Sequence, residues 1–264
     1  MISCATPLAG VMYSTLKQCK MPEIFIGQPS QPASANMDAA NRRRVCNRQS
    51  EMMDSEYKDL SEVSAQTLRH YELSAEQFRA GTWHHDVTQN IDALLRHISV
   101  PAPFRILDFG CGPGRDLLAF VARGHHPTGL DGSPQFVNMA AKASGCEVWQ
   151  QDFLNLELPD QHFDGVFANA SLFHIPSSEL PRVLRQLYSA LKPDGVLFSS
   201  NPRGDNQEGW HDGRYGAYHD LDSWRQYLNT AAFVEIEHYF RPAGLPREQQ
   251  PWLASVWRKT SDAV

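Results

Sequence analysis

The segment Arg105-Ile-Leu-Asp-Phe109 runs straight into Gly110-Cys-Gly112-Pro-Gly114, and a helix-forming stretch begins at Arg115. A short buried strand followed by three closely spaced glycines and a helix leaves few folds open. Glycine lets the chain turn sharply and brings backbone N–H groups close to a ligand with no Cβ in the way. The spacing is Gly-x-Gly-x-Gly, not the Gly-x-Gly-x-x-Gly of a dinucleotide site, and Asp108 stands two residues before the first glycine. A carboxylate at that strand end suits a cationic or hydroxyl-rich ligand better than a pyrophosphate.

Downstream, strand-like and helix-like stretches alternate. Strands are predicted at 126–130, 147–151, 163–169 and 195–200, and helices near 115–123, 134–144 and 178–191. The last helix carries Leu180, Val183, Leu184, Leu187 and Leu191 on one face, and Lys192-Pro-Asp-Gly195 punctuates its end. Upstream, Val87, Ile91, Leu94, Leu95 and Ile98 share one face of a helix predicted to be capped by Asp86. Alternation of this kind means a mostly parallel α/β sheet, doubly wound and covered on both faces. The tail departs from it: Phe233–Phe240 and Leu253–Trp257 read as an antiparallel hairpin on the sheet edge.

The first fifty residues have another character. They hold six basic residues against two acids, three of the five cysteines, and the linker-like run 28–34. Without sustained apolar periodicity such a stretch cannot bury enough surface to offset its ordering entropy, so residues 1–55 are expected to be a flexible leader before a domain at 56–264. An Arg-rich, acid-poor leader also fits an organellar transit peptide, and Met37, Met52 and Met53 leave an upstream start open. A secretory signal is not expected, since Pro7 and Gly10 interrupt the early apolar stretch. The cysteines form neither a disulfide framework nor a Cys-x-x-Cys metal pair, so a cytoplasmic, metal-free protein is the default. No apolar run approaches the length of a membrane span, and a net charge of -6 argues against a nucleic-acid partner.

From Asp108 onward the chain resembles the class I S-adenosylmethionine-dependent methyltransferases of small-molecule type. The first motif of that family is acid-x-Gly-x-Gly-x-Gly, and further elements follow in order. These are Gly129-Leu-Asp131-Gly-Ser, Gln151-Asp152-Phe153, Phe163-Asp-Gly-Val-Phe-Ala-Asn169 and Leu191-Lys-Pro-Asp-Gly195. The resemblance covers about 60–200 and implies a Rossmann-like, seven-stranded sheet with S-adenosylmethionine as cofactor. It implies donor contacts from Asp108, Gly110, Cys111, Gly112 and Gly114, and ribose hydrogen bonds at Asp131 beside Gly132. Gln151, Asp152 and Phe153 would meet the adenine, and Asn169, at the end of the fourth strand, would lie beside the methyl donor. Tyr71, in Tyr71-Glu-Leu-Ser-Ala75-Glu-Gln-Phe78, is similar to the entry-helix tyrosine that lies over the methionine end.

Each position also has a plainer reading. The glycines serve a tight turn, Asp131 caps a helix opening at Ser133-Pro134, and Asp152 is ordinary turn chemistry. Ligands of an open parallel sheet bind at the strands' carboxyl ends, which places His174 beside the donor as a candidate general base, or as a passive contact. Adjacent His84 and His85 with Asp86 do not make a metal site, because neighbouring side chains diverge. Arginines interleaved with aromatics at 201–252, among them Trp210, Arg214, Tyr215 and Tyr218, together with Phe173, are candidates for binding a polar small-molecule acceptor. The expected activity is methyl transfer to oxygen, nitrogen or sulfur of such a molecule. An NAD-type oxidoreductase and a non-catalytic donor-binding module are the alternatives.

Overall fold

The computed structural model describes residues 60–260; the leader expected at 1–55 lies outside them. Three helices come first: α1 (60–73), α2 (Ala75–Thr82) and α3 (Thr88–Leu95). The alternating stretch follows as β1 (Arg105–Phe109), α4 (Arg115–Ala122), β2 (His126–Asp131), α5 (Pro134–Ser144), β3 (Val148–Gln150) and β4 (Phe163–Asn169). After a 3-10 turn at Leu172–His174 come α6 (Leu180–Ala190) and β5 (Leu191–Pro202). The chain then forms β6 (Gln207–His211), β7 (Arg214–Tyr218), α7 (Leu221–Thr230), β8 (Phe233–Arg241) and β9 (Trp252–Lys259).

Seven strands form one sheet in the order β3-β2-β1-β4-β5-β9-β8. The pairs among β3, β2, β1, β4 and β5 are parallel, whereas β9 runs antiparallel to both neighbours, β5 and β8. The α/β class, the parallel majority and the C-terminal antiparallel pair are those expected. Period-two alternation divides the core between the two faces. Ile106, Phe167, Phe198 and Val256 pack with Ile91 and Leu94 of α3 and Phe120 of α4. Leu107, Val166, Leu197 and Trp257 pack on the other side with Leu184 and Leu187 of α6 and Trp224 of α7. Central strands buried on both faces are therefore apolar almost throughout.

Several local expectations are corrected. The helix predicted to run to 191 stops at Ala190, because Leu191 turns extended and opens β5 against Phe163. Residues 192–195 bulge out of that pairing, register resumes at Gly165↔Val196, and Lys192 Nζ holds the bulge to Asp164 Oδ1 at 2.7 Å. The N-cap of α3 is Val87; Asp86 instead accepts from Thr88 N at 2.9 Å, one residue further out. Inside the region 201–252, two elements go beyond a polar and aromatic surface. The β6–β7 hairpin turns on Asp212-Gly213, both at positive φ, as a two-residue hairpin turn requires. In α7, Asp220 caps the helix by accepting from Ser223 N at 2.7 Å, and Trp224 and Leu228 are buried.

Truncation inside this core should be costly. Leu187→Ala should lower unfolding stability by about 2–5 kcal/mol, because Leu187 is fully enclosed in the α6 face. Val121→Ala, at an exposed helical position, should stay within about 0.5 kcal/mol. Urea unfolding of the two variants checks the contrast.

Candidate functional site

A cavity of about 660 Å³ opens over the carboxyl ends of the parallel strands. Its floor is the glycine loop, and the glycines divide the work. Gly114 begins α4 at φ +89°, where a Cβ would stand 2.7 Å from Ala140 Cα; its role is to let α4 and α5 touch. Gly112, at φ +52°, has open space where a Cβ would be, the nearest atom being Phe78 Cε1 at 3.8 Å, and it lines the cavity. That is a backbone surface left bare toward a ligand.

The end of β2 is tied to this loop through Asp131. Its Oδ2 accepts from Gly112 N and its Oδ1 from Ser133 N, each at 2.9 Å. Capping of α5 falls to Ser133, whose Oγ accepts from Phe136 N, with Pro134 in the first turn. Asp131 is thus free of the capping task and faces the cavity beside Gly132. A carboxylate offers about four acceptor positions, so lone pairs remain for two ligand hydroxyls. Burial pushes its pKa up to about 6 against these backbone donors.

Asp108 lies one layer below. It is buried, its Oδ2 has no hydrogen-bond partner among the described residues, and it does not line the cavity. Burial first, then the charge of Asp116, holds its carboxyl well above the usual range. Cys111 lines the cavity, but burial also raises its thiol well above normal, so it is no nucleophile. Asp152 serves turn and cavity together: Oδ1 accepts from Leu154 N at 2.9 Å and Oδ2 from Ser64 Oγ at 2.7 Å. Phe153 lines the cavity and stacks on Phe109 at 4.3 Å. Gln151 is a correction, since its amide folds back onto the Glu157 backbone in both directions and leaves the cavity wall.

Asn169 faces the cavity within a polar chain that crosses the sheet. Tyr239 Oη donates to Asn90 Oδ1 at 3.0 Å, Asn90 Nδ2 to Asn169 Oδ1 at 2.9 Å, and Asn169 Nδ2 to Asp116 Oδ2 at 3.2 Å. Arg115 closes the chain, its Nε 2.6 Å from Asp116 Oδ1 and its Nη2 3.0 Å from Oδ2.

The opposite wall carries aromatic rings and His174. Tyr71 of α1 packs edge-on against Phe78 at 5.4 Å and tilted against Phe136 at 5.8 Å. Tyr71 Oη lies 2.7 Å from His174 Nε2, and His174 Nδ1 lies 2.6 Å from the Tyr215 carbonyl oxygen. A carbonyl only accepts, so Nδ1 carries the proton and Nε2 accepts from the tyrosine hydroxyl. Burial pushes the His174 pKa down to about 4, which keeps the ring neutral. Arg214 Nη1 donates to Tyr71 Oη at 3.4 Å, its guanidinium 5.7 Å from the ring centre. Phe173 also lines the cavity, but Trp210, Tyr215 and Tyr218 do not. The Trp210 side chain is exposed and meets Tyr215 edge-on, while Tyr215 contributes its backbone: its N–H donates to Thr67 Oγ1 at 3.1 Å. Sequence reasoning missed Thr67 and Leu68 of α1, which line the cavity, whereas Arg241 and Trp252 of the arginine–aromatic stretch at 201–252 line it as expected. Only the alternation of arginine and aromatic residues pointed toward Arg241. Among the described residues no group of His, Cys, Asp and Glu is placed to hold a metal ion, and no helix is long and apolar enough to cross a membrane.

The Asp131 geometry sets a pH signature. If Asp131 accepts from the ribose of the expected cofactor, then below a pKa of about 6 its carboxyl takes a proton and loses acceptor capacity, and S-adenosylhomocysteine should bind more weakly as pH falls from 7 to 5. The native state holds that proton more tightly than the unfolded chain, so this titration raises stability over the same range and does not mimic unfolding. Asp131→Asn should lose about 1.5–3 kcal/mol of binding and flatten the pH dependence. Calorimetric titration of both proteins across that range is the check.

Residues 106–195 match a family model described as a methyltransferase domain. A trans-aconitate 2-methyltransferase of Methylobacterium nodulans is 38% identical over 120 residues, which is 44% of this chain and 44% of that protein. A sterol 24-C-methyltransferase of Gibberella zeae is 33% identical over 114 residues, 39% of this chain and 29% of that protein. The chain thus spans less than half the length of these curated relatives. The solved 1,6-didemethyltoxoflavin-N1-methyltransferase of Burkholderia thailandensis, with its substrate and S-adenosylhomocysteine bound, superposes with a TM-score of 0.64. It is 23% identical and covers 76% of this chain and 91% of its own, a likeness of fold. The glycine loop, Asp131, Asp152, Asn169 and His174 all fall inside the matched stretch: residues 106–195 match a methyltransferase domain, and they lie in a fold of the class I S-adenosylmethionine-dependent methyltransferase type.

Proposed function

We propose that the chain transfers the methyl group of S-adenosylmethionine to a small molecule bound in the same cavity. The observation that carries this reading is the division of one cavity. Bare Gly112 and the cavity-facing carboxylate of Asp131 form one wall, and Tyr71, His174 and Arg214 form the other. The donor-side residues fit the cofactor by their chemistry: Asp131 keeps acceptor positions for a ribose diol, and Gly112 leaves room for close approach. Asp152 and Phe153 would hold the adenine end, and Asn169 and Tyr71 the methionine end. Asp108 and Gly114 would act indirectly, one beneath the loop and the other by seating α4 on α5.

When bound, the cofactor supplies a methyl group on a sulfonium sulfur, already a strong electrophile. The chain's own contribution is then alignment and exclusion of water. The rings of Tyr71, Phe78 and Phe136 form an apolar wall beside the donor site, and α1 with the β6–β7 hairpin encloses the acceptor side. Enclosure favours a small acceptor over a macromolecule. The two named relatives act on trans-aconitate and a sterol, both small molecules.

His174 fits a positioning role better than that of a base. Its Nδ1 proton is given to the Tyr215 carbonyl, its Nε2 already accepts from Tyr71, and its low pKa makes it a weak proton acceptor. Its ring thereby fixes the Tyr71 hydroxyl. A labelled-methyl screen of metabolite pools tests the proposal: label should pass from S-adenosylmethionine to a small product, with no nicotinamide cofactor bound or consumed. In that assay His174→Gln should lower kcat/KM about tenfold or more through misplacement of Tyr71, while the pH profile from 6 to 9 keeps its shape. An acid limb with an apparent pKa near 6.5 in the parent, absent from His174→Gln, would restore the imidazole as general base.

A further inference from the structure

The acceptor side of the cavity holds two guanidinium groups that form no ion pair among the described residues. Arg115, on the donor side, is fully engaged with Asp116. Arg214, from β7, meets the phenol of Tyr71 through a long hydrogen bond and its ring face. Arg241, at the end of β8, donates through Nη2 to the backbone oxygen of Asp86 at 3.2 Å. The Asp86 carboxylate instead accepts from Thr88 N, though it feels the charge of Arg241. Among the described residues neither arginine has a carboxylate at ion-pairing distance, whereas five other arginines do. Both line the same cavity, and both are partly buried.

Partly desolvated cations facing one cavity from separate elements form a recognition surface for an anion, and a guanidinium fork fits a carboxylate. The chemistry of the neighbouring groups points the same way. His174 is neutral with both ring nitrogens engaged, the Tyr71 phenol is raised above its ordinary pKa by burial, and Cys111 is held protonated. None of these three groups is a ready base, which suits a nucleophile that has no proton to lose.

We infer that the methyl acceptor is a small polycarboxylic acid, held through carboxylate by Arg214 and Arg241 and methylated on a carboxylate oxygen. The inference rests on the methyltransferase reading above. In the step, a lone pair of an unclamped carboxylate oxygen forms the O–CH₃ bond as the methyl–sulfur bond breaks, and that electron pair returns to sulfur. The products are a methyl ester and a neutral thioether; no proton is released. A carboxylate gripped by arginine is a poorer nucleophile, so recognition and reaction fall on different carboxylates of one molecule.

The test uses the full chain, a panel of short di- and tricarboxylic acids, the matching amides, and simple phosphomonoesters. Calorimetry first measures S-adenosylhomocysteine binding, then binding of each compound to the loaded protein; labelled S-adenosylmethionine reports turnover. Acids alone should bind and should yield a labelled product that releases its label on mild base hydrolysis, as a methyl ester does. Arg214→Gln and Arg241→Gln should each raise KM for the acid about tenfold or more, with S-adenosylhomocysteine affinity kept within about twofold, and Arg241→Lys should recover part of the loss. If amides or phosphomonoesters bind as well as acids, if no acid accepts label, or if the variants lose S-adenosylhomocysteine instead, the carboxylate assignment fails while the methyltransferase reading stands. Absence of S-adenosylhomocysteine binding in the parent chain would overturn both.

Discussion

The parallel pairing of β1 with β2 governs where every polar group of the site can stand. Register Leu107↔Thr128, Asp108↔Gly129 and Phe109↔Leu130 brings the two strands to their carboxyl ends together. Gly110 N and Cys111 N then donate to Leu130 O at 2.8 and 3.0 Å, and Asp131 Oδ2 takes the Gly112 N–H. One continuous strip of backbone hydrogen bonds therefore holds the glycine loop open over the sheet. A one-residue slip would invert the alternation and send Asp131 away from the cavity.

From that strip outward, polar groups serve the architecture and the site together. The chain from Tyr239 through Asn90 and Asn169 to Asp116 and Arg115 connects the sheet edge with the helix that follows the glycine loop. Because Asn169 Oδ1 accepts from Asn90, its amide nitrogen must point to Asp116, which settles the orientation of that side chain at the cavity wall. Asp116 in turn absorbs the charge of Arg115. The remaining positive charge of the cavity is thereby left to Arg214 and Arg241.

The sequence made the parallel core legible because its signals are local. A strand, three glycines and a helix within a few turns of chain, and Asp131 before Ser133-Pro134, need no distant partner to be interpreted. The helix end at Ala190 was displaced because Leu191 is apolar enough for either element, and pairing with Phe163 decided for the strand. In the β6–β7 hairpin, Asp212-Gly213 carried a turn signal, and α7 had Asp220 with Leu221, Trp224 and Leu228 at helical spacing. A dense run of polar and aromatic residues masked both. Gln151 was placed near the donor by its strand-end position, but its amide found a nearer backbone at Glu157. The contact of Tyr71 with His174 spans 103 positions of chain, and no periodicity reports it.

The hairpin's grip on the site has a consequence for how specificity can change. Its ties to Thr67 and His174 are made by the N–H and the carbonyl of Tyr215, not by the tyrosine ring. A backbone clamp is indifferent to most side chains and is broken chiefly by proline, which removes the donor. Residues on β6 and β7 can therefore drift while the Tyr71–His174 pair keeps its geometry. On the proposed reading the acceptor wall is an interchangeable face mounted on a fixed frame, and a descendant of this chain could acquire a different acceptor without rebuilding the residues proposed to hold the donor.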